Sequence, residues 1–410
     1  MARDASARLP QELFDAIIDA VRVASPVSEA YKDLVSCSLV SRRFLPRTRY
    51  FLFEAIFFDS PEEISSYYHM CLKNPTISSS AKCFVLDPQK LVTDTFDDSL
   101  LISILQLTTN IVTLSLENVS WDELSPGLLS ALARYRLKNL FIKNVTFPSI
   151  SSFHSFIRCS ATCSLSRLGL YESLTVGRSE DDDSDTEALV SVPENSVVVQ
   201  SLSVACFQKS QDMTRSILFS PSSPFNFLGL TETEVVFSQC SDQALSQDSI
   251  YLLRDVVSAS DSLLLAHIDM GRAFQRAPPP YLLYLPSLCT LGFLLNNANS
   301  LGFQPIPVLQ WWIDVLVHSK CYSLSRLTIS AIATGQSWVI AQDALTQWRR
   351  LDKELSSFRY DVYAVRIIYK EHRMEHGDSD GSDGLVADVL TKNMPGLFQQ
   401  GVLQVYNHLS

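Results

Sequence analysis

The residues with the clearest chemical spacing lie at positions 372–376. His372, Glu375 and His376 form the pattern H-x-x-E-H, an order of residues found in one class of zinc metallopeptidases. Two histidines four residues apart can bind one metal ion together only on a helix, and a third ligand must come from elsewhere. This segment instead follows RIIYK, which has the composition of a strand, and runs into Gly377 and Asp378. We therefore expect a solvated loop, and a metal-dependent hydrolase is only the third of three hypotheses.

Other catalytic and cofactor patterns fail on spacing. Asp378, Asp380 and Asp383 begin like a calcium loop, but Gly384 and Val389 then occupy positions 7 and 12, where such a loop needs Gly at position 6 and Glu at position 12. The chain has 13 glycines and no G-x-G, and its only glycine pair five residues apart is followed by valine, so dinucleotide and P-loop fingerprints are missing. It also has no G-x-S-x-G and no C-x-x-C. The sequence predicts no enzyme activity and no cofactor.

Charge and cysteine usage restrict the class of partner and the compartment. The 33 basic and 44 acidic residues give a net charge of −11, which disfavours sequence-independent nucleic-acid binding. The nine cysteines are scattered, and the N-terminus lacks the apolar run of a signal peptide. The most apolar stretch, residues 281–295, is interrupted by Pro286 and is too short to cross a bilayer. We expect a soluble, reduced protein of the cytoplasm or nucleus with no membrane contact.

The elements that come first in the chain are predicted to be three short helices. Pro10 suits the first turn of a helix, and Leu13 and Ile17 recur at four-residue spacing. A second helix is predicted from Ser28, and a third from Pro46. Three short helices in about fifty residues cannot bury all of this apolar surface by themselves. Part of the surface is therefore expected to meet a partner.

The segments LPQELFDAIIDAV and YKDLVSCSLVSRRFLPRTRYFLF resemble the F-box motif, particularly its fungal-type, F-box-like form. One departure is Phe44, because many F-boxes carry Trp there, although Phe44 keeps an aromatic anchor. The match covers about an eighth of the chain, in the specific order of the motif. The matching residues are Leu9, Pro10, Glu12, Leu13, Ile17, Leu34, Cys37, Leu39, Val40, Ser41, Arg42, Phe44, Pro46, Arg47, Arg49, Leu52 and Phe53.

This resemblance implies that a helical domain at residues 1–58 docks on the Skp adaptor of a cullin–RING ubiquitin ligase. The four arginines between residues 42 and 49 are interpreted as helix-end and adaptor contacts, because residues 1–58 carry eight basic and seven acidic side chains. The alternative is an ordinary three-helix cap on a larger domain. The residues implied to bind the adaptor are Leu9, Pro10, Leu13, Ile17, Leu34, Cys37, Val40, Ser41 and Phe44.

Residues 59–410 contain a recurring apolar-x-x-apolar-x-apolar pattern at intervals of 25 to 36 residues. Copies centre on Leu114, Leu140, Leu168, Leu202, Leu228, Leu291 and Leu327, with weaker ones around Leu265 and at residues 358–360, and a last strand at 402–406. Helical stretches fill the gaps at 125–136, 151–159, 305–320 and 338–355.

The fold class predicted from this alternation is α/β, an irregular leucine-rich-repeat-like solenoid that follows the F-box-like domain. Asn118 and Asn144 partly supply the asparagine position that such repeats carry after the strand. A non-repeat α/β domain is the alternative. Two acidic segments, 177–187 and 376–384, are predicted to be loops.

The first functional hypothesis is a substrate receptor of an SCF-type E3 ubiquitin ligase, whose repeats bind an unknown target protein. The second is a ubiquitin-independent interaction scaffold. Exposed strand positions would supply the target contacts, and the candidates are Glu117, Phe141, Lys143, Arg167, Tyr171, Arg326 and Thr328.

Overall fold

A computed structural model describes twelve segments of the chain. The chain divides into two compact units, Met1–Asn139 and Leu140–Ser410. The domain boundary predicted at residue 58 lies inside the first unit. No helix in the described segments is long and apolar enough to cross a bilayer. The described segments are 10–24, 27–91, 98–161, 164–176, 196–206, 211–237, 247–269, 282–296, 305–334, 338–357, 359–372 and 383–407.

The first unit begins with helices and continues with alternating strands and helices. Its three strands are hydrogen-bonded in parallel and in chain order, β1 to β2 to β3. Its elements are α1 (Gln11–Ala24), α2 (Val27–Val40), α3 (Leu45–Leu52), β1 (Ala55–Ile56), α4 (Pro61–Lys73), α5 (Pro75–Ser80), β2 (Cys83–Leu86), α6 (Ser99–Leu107), β3 (Thr113–Glu117) and α7 (Pro126–Ala133).

The second unit repeats the alternation of strand and helix. Its strands follow the order β4-β5-β6-β8-β9-β10-β11-β12-β13, and β7 pairs with β6 outside this path. Its elements are β4 (Asn139–Phe147), α8 (Ile150–Ser160), β5 (Ser164–Val176), β6 (Val197–Cys206), α9 (Gln211–Phe219), β7 (Phe225–Asn226), β8 (Glu232–Phe237), α10 (Gln247–Ser258), β9 (Leu265–Asp269), β10 (Thr290–Asn296), α11 (Pro305–Ser319), β11 (Arg326–Thr334), α12 (Gln342–Leu355), β12 (Ala364–His372), α13 (Asp383–Asn393), α14 (Pro395–Gln399) and β13 (Leu403–Asn407).

Local sequence explains where several of these helices begin. Ser60, Ser125 and Ser149 each accept a hydrogen bond from the backbone N–H three residues later, which is the usual serine cap. Proline follows the first two of these serines, where its missing N–H costs nothing. The predicted helices at 125–136, 151–159, 305–320 and 338–355 correspond to α7, α8, α11 and α12.

Burial alternates along the strands, because successive side chains point to opposite faces of a parallel sheet. In the second unit the register aligns one buried residue from each of seven strands, β5, β6 and β8 to β12, and this row forms the middle of the core. The mixed α/β class with parallel strands is therefore confirmed. The aligned residues are Leu168, Leu202, Thr233, Ala266, Leu291, Leu327 and Val365.

The copy of the repeat predicted at Leu228 is wrong in register. Leu228 is 74% exposed and lies in a turn. The Asn226 side-chain oxygen accepts a hydrogen bond from the Leu228 backbone N–H at 2.9 Å, and this local bond ends the strand there. The strand follows at Glu232, and Thr233 takes the aligned core position. The copy around Leu265 is shifted by one residue, so that Ala266 is buried and Leu265 is exposed.

The end of the chain also differs from expectation. Residue 358 lies outside the described residues. Tyr360 precedes the strand, and its hydroxyl donates a hydrogen bond to the Leu316 carbonyl of α11 at 3.3 Å. The strand begins at Ala364 instead. Residues 376–382 of the second acidic segment, and all of 177–187, are outside the described residues. Asp383 and Gly384, predicted to lie in that loop, are the first residues of α13.

Three residues that are not glycine have a left-handed backbone conformation at equivalent places in consecutive strand segments. Asn118, Asn144 and Glu172 have φ of 53°, 52° and 61° and follow Leu116, Ile142 and Leu170 by two residues. Asparagine tolerates this conformation better than other residues do, which agrees with the asparagine positions that the sequence singled out. Glu172 adopts it without that advantage and pairs with Lys143 at 3.2 Å.

Candidate functional site

The first three helices hold one another through an apolar and aromatic contact. Ile18 and Phe14 of α1 are buried, and the Phe14 ring meets Phe44 edge to face with ring centroids 5.2 Å apart. The Gln11 amide donates to the Arg43 carbonyl at 2.7 Å, and the Arg43 guanidinium lies over the Phe14 ring. The first turns of α1 are therefore next to the connection between α2 and α3.

Two arginines of this region form ion pairs within the unit. Arg47 of α3 donates to both carboxylate oxygens of Asp19 in α1, at 2.7 and 3.0 Å, and this hydrogen bonding lowers the pKa of Asp19. Arg22 reaches Glu54 at 2.7 Å. Both carboxylates are solvent-accessible, so each pair fixes geometry more than it adds stability. These contacts explain part of the basic cluster without nucleic acid.

Five large apolar side chains of α1 and α2 are exposed among the residues whose burial the structure describes, and together we call them the docking surface. Leu13 and Ile17 are one helical turn apart on α1, and Val35 and Leu39 are one turn apart on α2. Leu39 and Val40 end α2 just before Arg43 and Phe44, which contact the start of α1. The exposed fractions are 50% for Leu13, 47% for Ile17, 37% for Val35, 83% for Leu39 and 75% for Val40.

The residues implied to bind the adaptor occupy three kinds of environment. Pro10, Leu13, Ile17 and Val40 are exposed, whereas Cys37, Ser41 and Phe44 are half-buried. Leu34 is only 4% exposed, so it packs inside the helical region and we now assign it a structural role. Leu9 lies outside the described residues.

The docking surface also contains two residues that were not among the site candidates, Val35 and Leu39. Both lie on a different side of α2 from the buried Leu34, one helical turn from each other. Their four-residue spacing was visible in the sequence. Which face of α2 is buried, however, depends on the packing of α1 and α3.

Candidate target contacts on β4 and β5 form one cluster. The rings of Phe141 and Tyr171 stack with centroids 6.4 Å apart and an interplanar angle of 28°. They cover Gly169, where an added Cβ would lie 2.5 and 2.6 Å from atoms of the two rings. Glycine is therefore required for both rings to lie flat across the strand.

Arg167 is exposed on the same strand as this cluster, two residues before Gly169, whereas the remaining candidates lie elsewhere. Arg326 and Thr328 are half-buried on β11. Five strand spacings separate β5 from β11, a distance of about 24 Å. Glu117 lies on β3 of the first unit and accepts a hydrogen bond from Ser115. The second unit therefore carries two separate groups of candidates.

Titratable groups in the described residues give no metal cluster. No group of three His, Cys, Asp or Glu side chains is placed to hold a metal ion in that part of the chain. His372 ends the strand β12, whereas its spacing with His376 would require a helix. Glu375 and His376 lie outside the described residues.

Comparisons with known proteins add no family assignment to this geometry. No protein-family model matches the chain, and no curated protein matches it. A functional proposal must therefore start from the docking surface and the strand faces themselves.

Proposed function

We propose that the chain is the substrate-recognition subunit of an SCF-type cullin–RING E3 ubiquitin ligase. In this proposal the docking surface binds the Skp adaptor, and the strand-bearing region binds a target protein. The chain needs no catalytic residue or cofactor of its own, since other subunits transfer ubiquitin. The proposal places it in the cytoplasm or nucleus.

The docking surface is the observation that carries this proposal. Exposed apolar residues that occur singly are ordinary, but a group of them on two adjoining helices is typical of an interaction site. Here the group falls within the segment that resembles an F-box. Four residues belong both to that resemblance and to the exposed group: Leu13, Ile17, Leu39 and Val40.

The strand region supports the second half of the proposal, in which it is an irregular leucine-rich-repeat-like solenoid. Parallel strands in chain order are what stacked repeats would produce. Aligned core residues recur at intervals from 25 residues, between Ala266 and Leu291, to 38, between Leu327 and Val365. The left-handed positions after β3, within β4 and within β5 add a second repeated feature.

Co-purification with the Skp adaptor tests the proposal. The full chain co-expressed with the adaptor is expected to elute from size-exclusion chromatography as a stoichiometric complex. Leu39→Asp should abolish the complex, because it places a charge in the docking surface. Leu228→Asp is the matched control, since Leu228 is similarly exposed in the second unit, and it should leave the complex intact.

Two outcomes would count against this function. If the intact chain does not bind the adaptor, the ubiquitin-ligase proposal fails, and a ubiquitin-independent scaffold becomes the better account. If Leu39→Asp and Leu228→Asp both retain the complex, the adaptor binds elsewhere than the docking surface.

A further inference from the structure

Two arginines on adjacent strands of the second unit face the same side of the sheet. Arg326 of β11 pairs with Ala364, and Arg366 of β12 pairs with Thr328, so the arginines are diagonal neighbours. A strand spacing of about 4.8 Å and a two-residue rise put their Cα atoms roughly 8 Å apart. Their sequence neighbours Leu327 and Val365 point into the core, so the arginines lie on the opposite face.

Neither arginine has a carboxylate partner among the residues that the structure describes. Arg326 donates from Nη2 to the Tyr363 hydroxyl at 3.1 Å, and its Nε–H is buried without a hydrogen-bond partner. Arg366 donates from Nε to the Gln404 side-chain oxygen at 3.0 Å, and that oxygen also accepts from the Tyr406 hydroxyl. Neutral partners orient both guanidinium groups without neutralising them.

Some arginines elsewhere in the described residues are neutralised by an acidic side chain, whereas the exposed Arg158 and Arg349 also hydrogen-bond only to neutral groups. Arg47 and Arg215 each pair with an aspartate, at 2.7 and 2.6 Å. Arg326 and Arg366 are half-buried, so their charge is only partly hydrated and an added anion would gain more than at a fully exposed site. Two guanidinium forks at this separation can share one carboxylate or phosphoryl group.

The surroundings favour a polypeptide as the source of that anion. Thr328 and Thr290 are half-buried beside Arg326 in the strand register and add hydroxyl groups that can donate hydrogen bonds. Tyr363 and Tyr406 are exposed next to the arginines and provide apolar ring area for the residues on either side of an anionic side chain. A small anion would use the charges alone and leave these rings uncovered.

We propose that Arg326 and Arg366 form an anion subsite that binds an acidic or phosphorylated side chain of a partner polypeptide. This deepens the proposed target recognition and rests on it, since it names the chemistry that the strand face would select. The shared chemistry is a carboxylate or phosphoryl group with at least two oxygens available to the guanidinium groups.

Fluorescence anisotropy with the full chain tests the subsite through three labelled peptides of equal length. One carries three adjacent glutamates, the second replaces the middle glutamate with phosphoserine, and the third carries glutamines. We expect saturable binding of an anionic peptide and none of the glutamine peptide. Whichever of the first two peptides binds with the lower Kd shows whether the subsite prefers a carboxylate or a phosphoryl group.

Variants decide whether the two arginines are responsible. Arg326→Gln with Arg366→Gln should weaken the anionic peptide at least roughly ten-fold, because each arginine contributes charge-assisted hydrogen bonds. Arg136→Gln with Lys353→Gln removes the same charge from exposed positions off the strands and should change the affinity less than about two-fold. If the double arginine variant unfolds, Arg366→Gln alone is measured and should still weaken binding.

The proposal is overturned if neither anionic peptide binds, or if the control pair reduces affinity as much as the arginine pair. These measurements contain no adaptor, so a failure here leaves the adaptor complex to be judged by its own co-purification experiment.

Discussion

Truncating Leu13 and Leu39 together to alanine is expected to weaken adaptor binding while leaving the free energy of unfolding of the chain almost unchanged. Both side chains are largely in water, with 50% and 83% of their surface exposed. Removing them therefore deletes little of the folded core. Their apolar surface becomes useful only when a partner covers it.

The size of the effect follows from the surface that each leucine has left to bury. Leu→Ala removes three carbon groups, each worth about 0.8 kcal/mol on full burial. Scaled by the exposed fractions, this is about 1.2 kcal/mol for Leu13 and about 2 kcal/mol for Leu39. The sum of about 3 kcal/mol corresponds to a Kd that is higher by roughly a hundred-fold.

Isothermal titration calorimetry with the purified adaptor measures the affinity, and urea unfolding measures the stability. The matched comparison is Ile18→Ala with Leu34→Ala, in the same two helices but at buried positions. Each of these is expected to cost about 2–5 kcal/mol of folding stability, because it opens a cavity.

The reasoning is refuted if the Leu13 and Leu39 double variant binds the adaptor like the unmodified chain. It is equally refuted if that variant loses stability as the buried pair does, since the two leucines would then be part of the core in solution. A loss of affinity with unchanged unfolding is the only result that fits an exposed docking surface.

Three further predictions concern the second unit. Asp352→Ala is expected to lower the free energy of unfolding in urea by about 2–4 kcal/mol. The buried Asp352 carboxylate accepts hydrogen bonds from the backbone N–H groups of Gly396 and Leu397, at the start of α14, at 3.1 and 2.8 Å. Asp352→Asn should cost less, and equal losses for the two variants would contradict this role. Gly169→Ala should cost about 1–3 kcal/mol by displacing the two rings above it, and a stability within about 0.5 kcal/mol of the unmodified chain would contradict their observed placement. Burial lowers the pKa of His154 below 6.5, and its Nε2–H donates to a backbone carbonyl, so the unfolded chain protonates first as the pH falls. Stability should therefore fall from pH 6.5 down to the folded pKa, more steeply than in His154→Gln, and parallel pH profiles would contradict this.

The sequence predicted the alternation of strands and helices well where the core residue is a large aliphatic one. Leu168, Leu202, Leu291 and Leu327 were identified by spacing, and all are buried in one aligned row. The same row contains Thr233 in place of an aliphatic side chain. Thr233 can be buried at low cost because its hydroxyl donates a hydrogen bond to the Leu202 carbonyl at 3.3 Å. A hydropathy pattern contains no information about such a hydrogen bond.

The candidate sites show the same division between local and tertiary information. The four-residue spacing on α1 predicted an apolar face, but the spacing does not say that Phe14 and Ile18 are buried while Leu13 and Ile17 stay exposed. Which side of α1 is buried is decided by the contact of Phe14 with Phe44, in the connection between α2 and α3. Arg366 was missed for a related reason, since only the register of β11 and β12 reveals its neighbour Arg326.

Net charge is a poor guide to where this chain would meet an anion, and ion pairing is a better one. The most basic sequence cluster is near the N-terminus, but Arg47 is already paired with Asp19 there. The second unit lies in the acidic part of the chain, yet its strand face holds Arg326 and Arg366 with neutral partners only, within the described residues. An arginine attracts a partner's anion through the charge that its own protein leaves unneutralised. The strand face that holds Arg326 and Arg366 is therefore where we expect an anionic polypeptide to bind, although it lies in the acidic part of the chain.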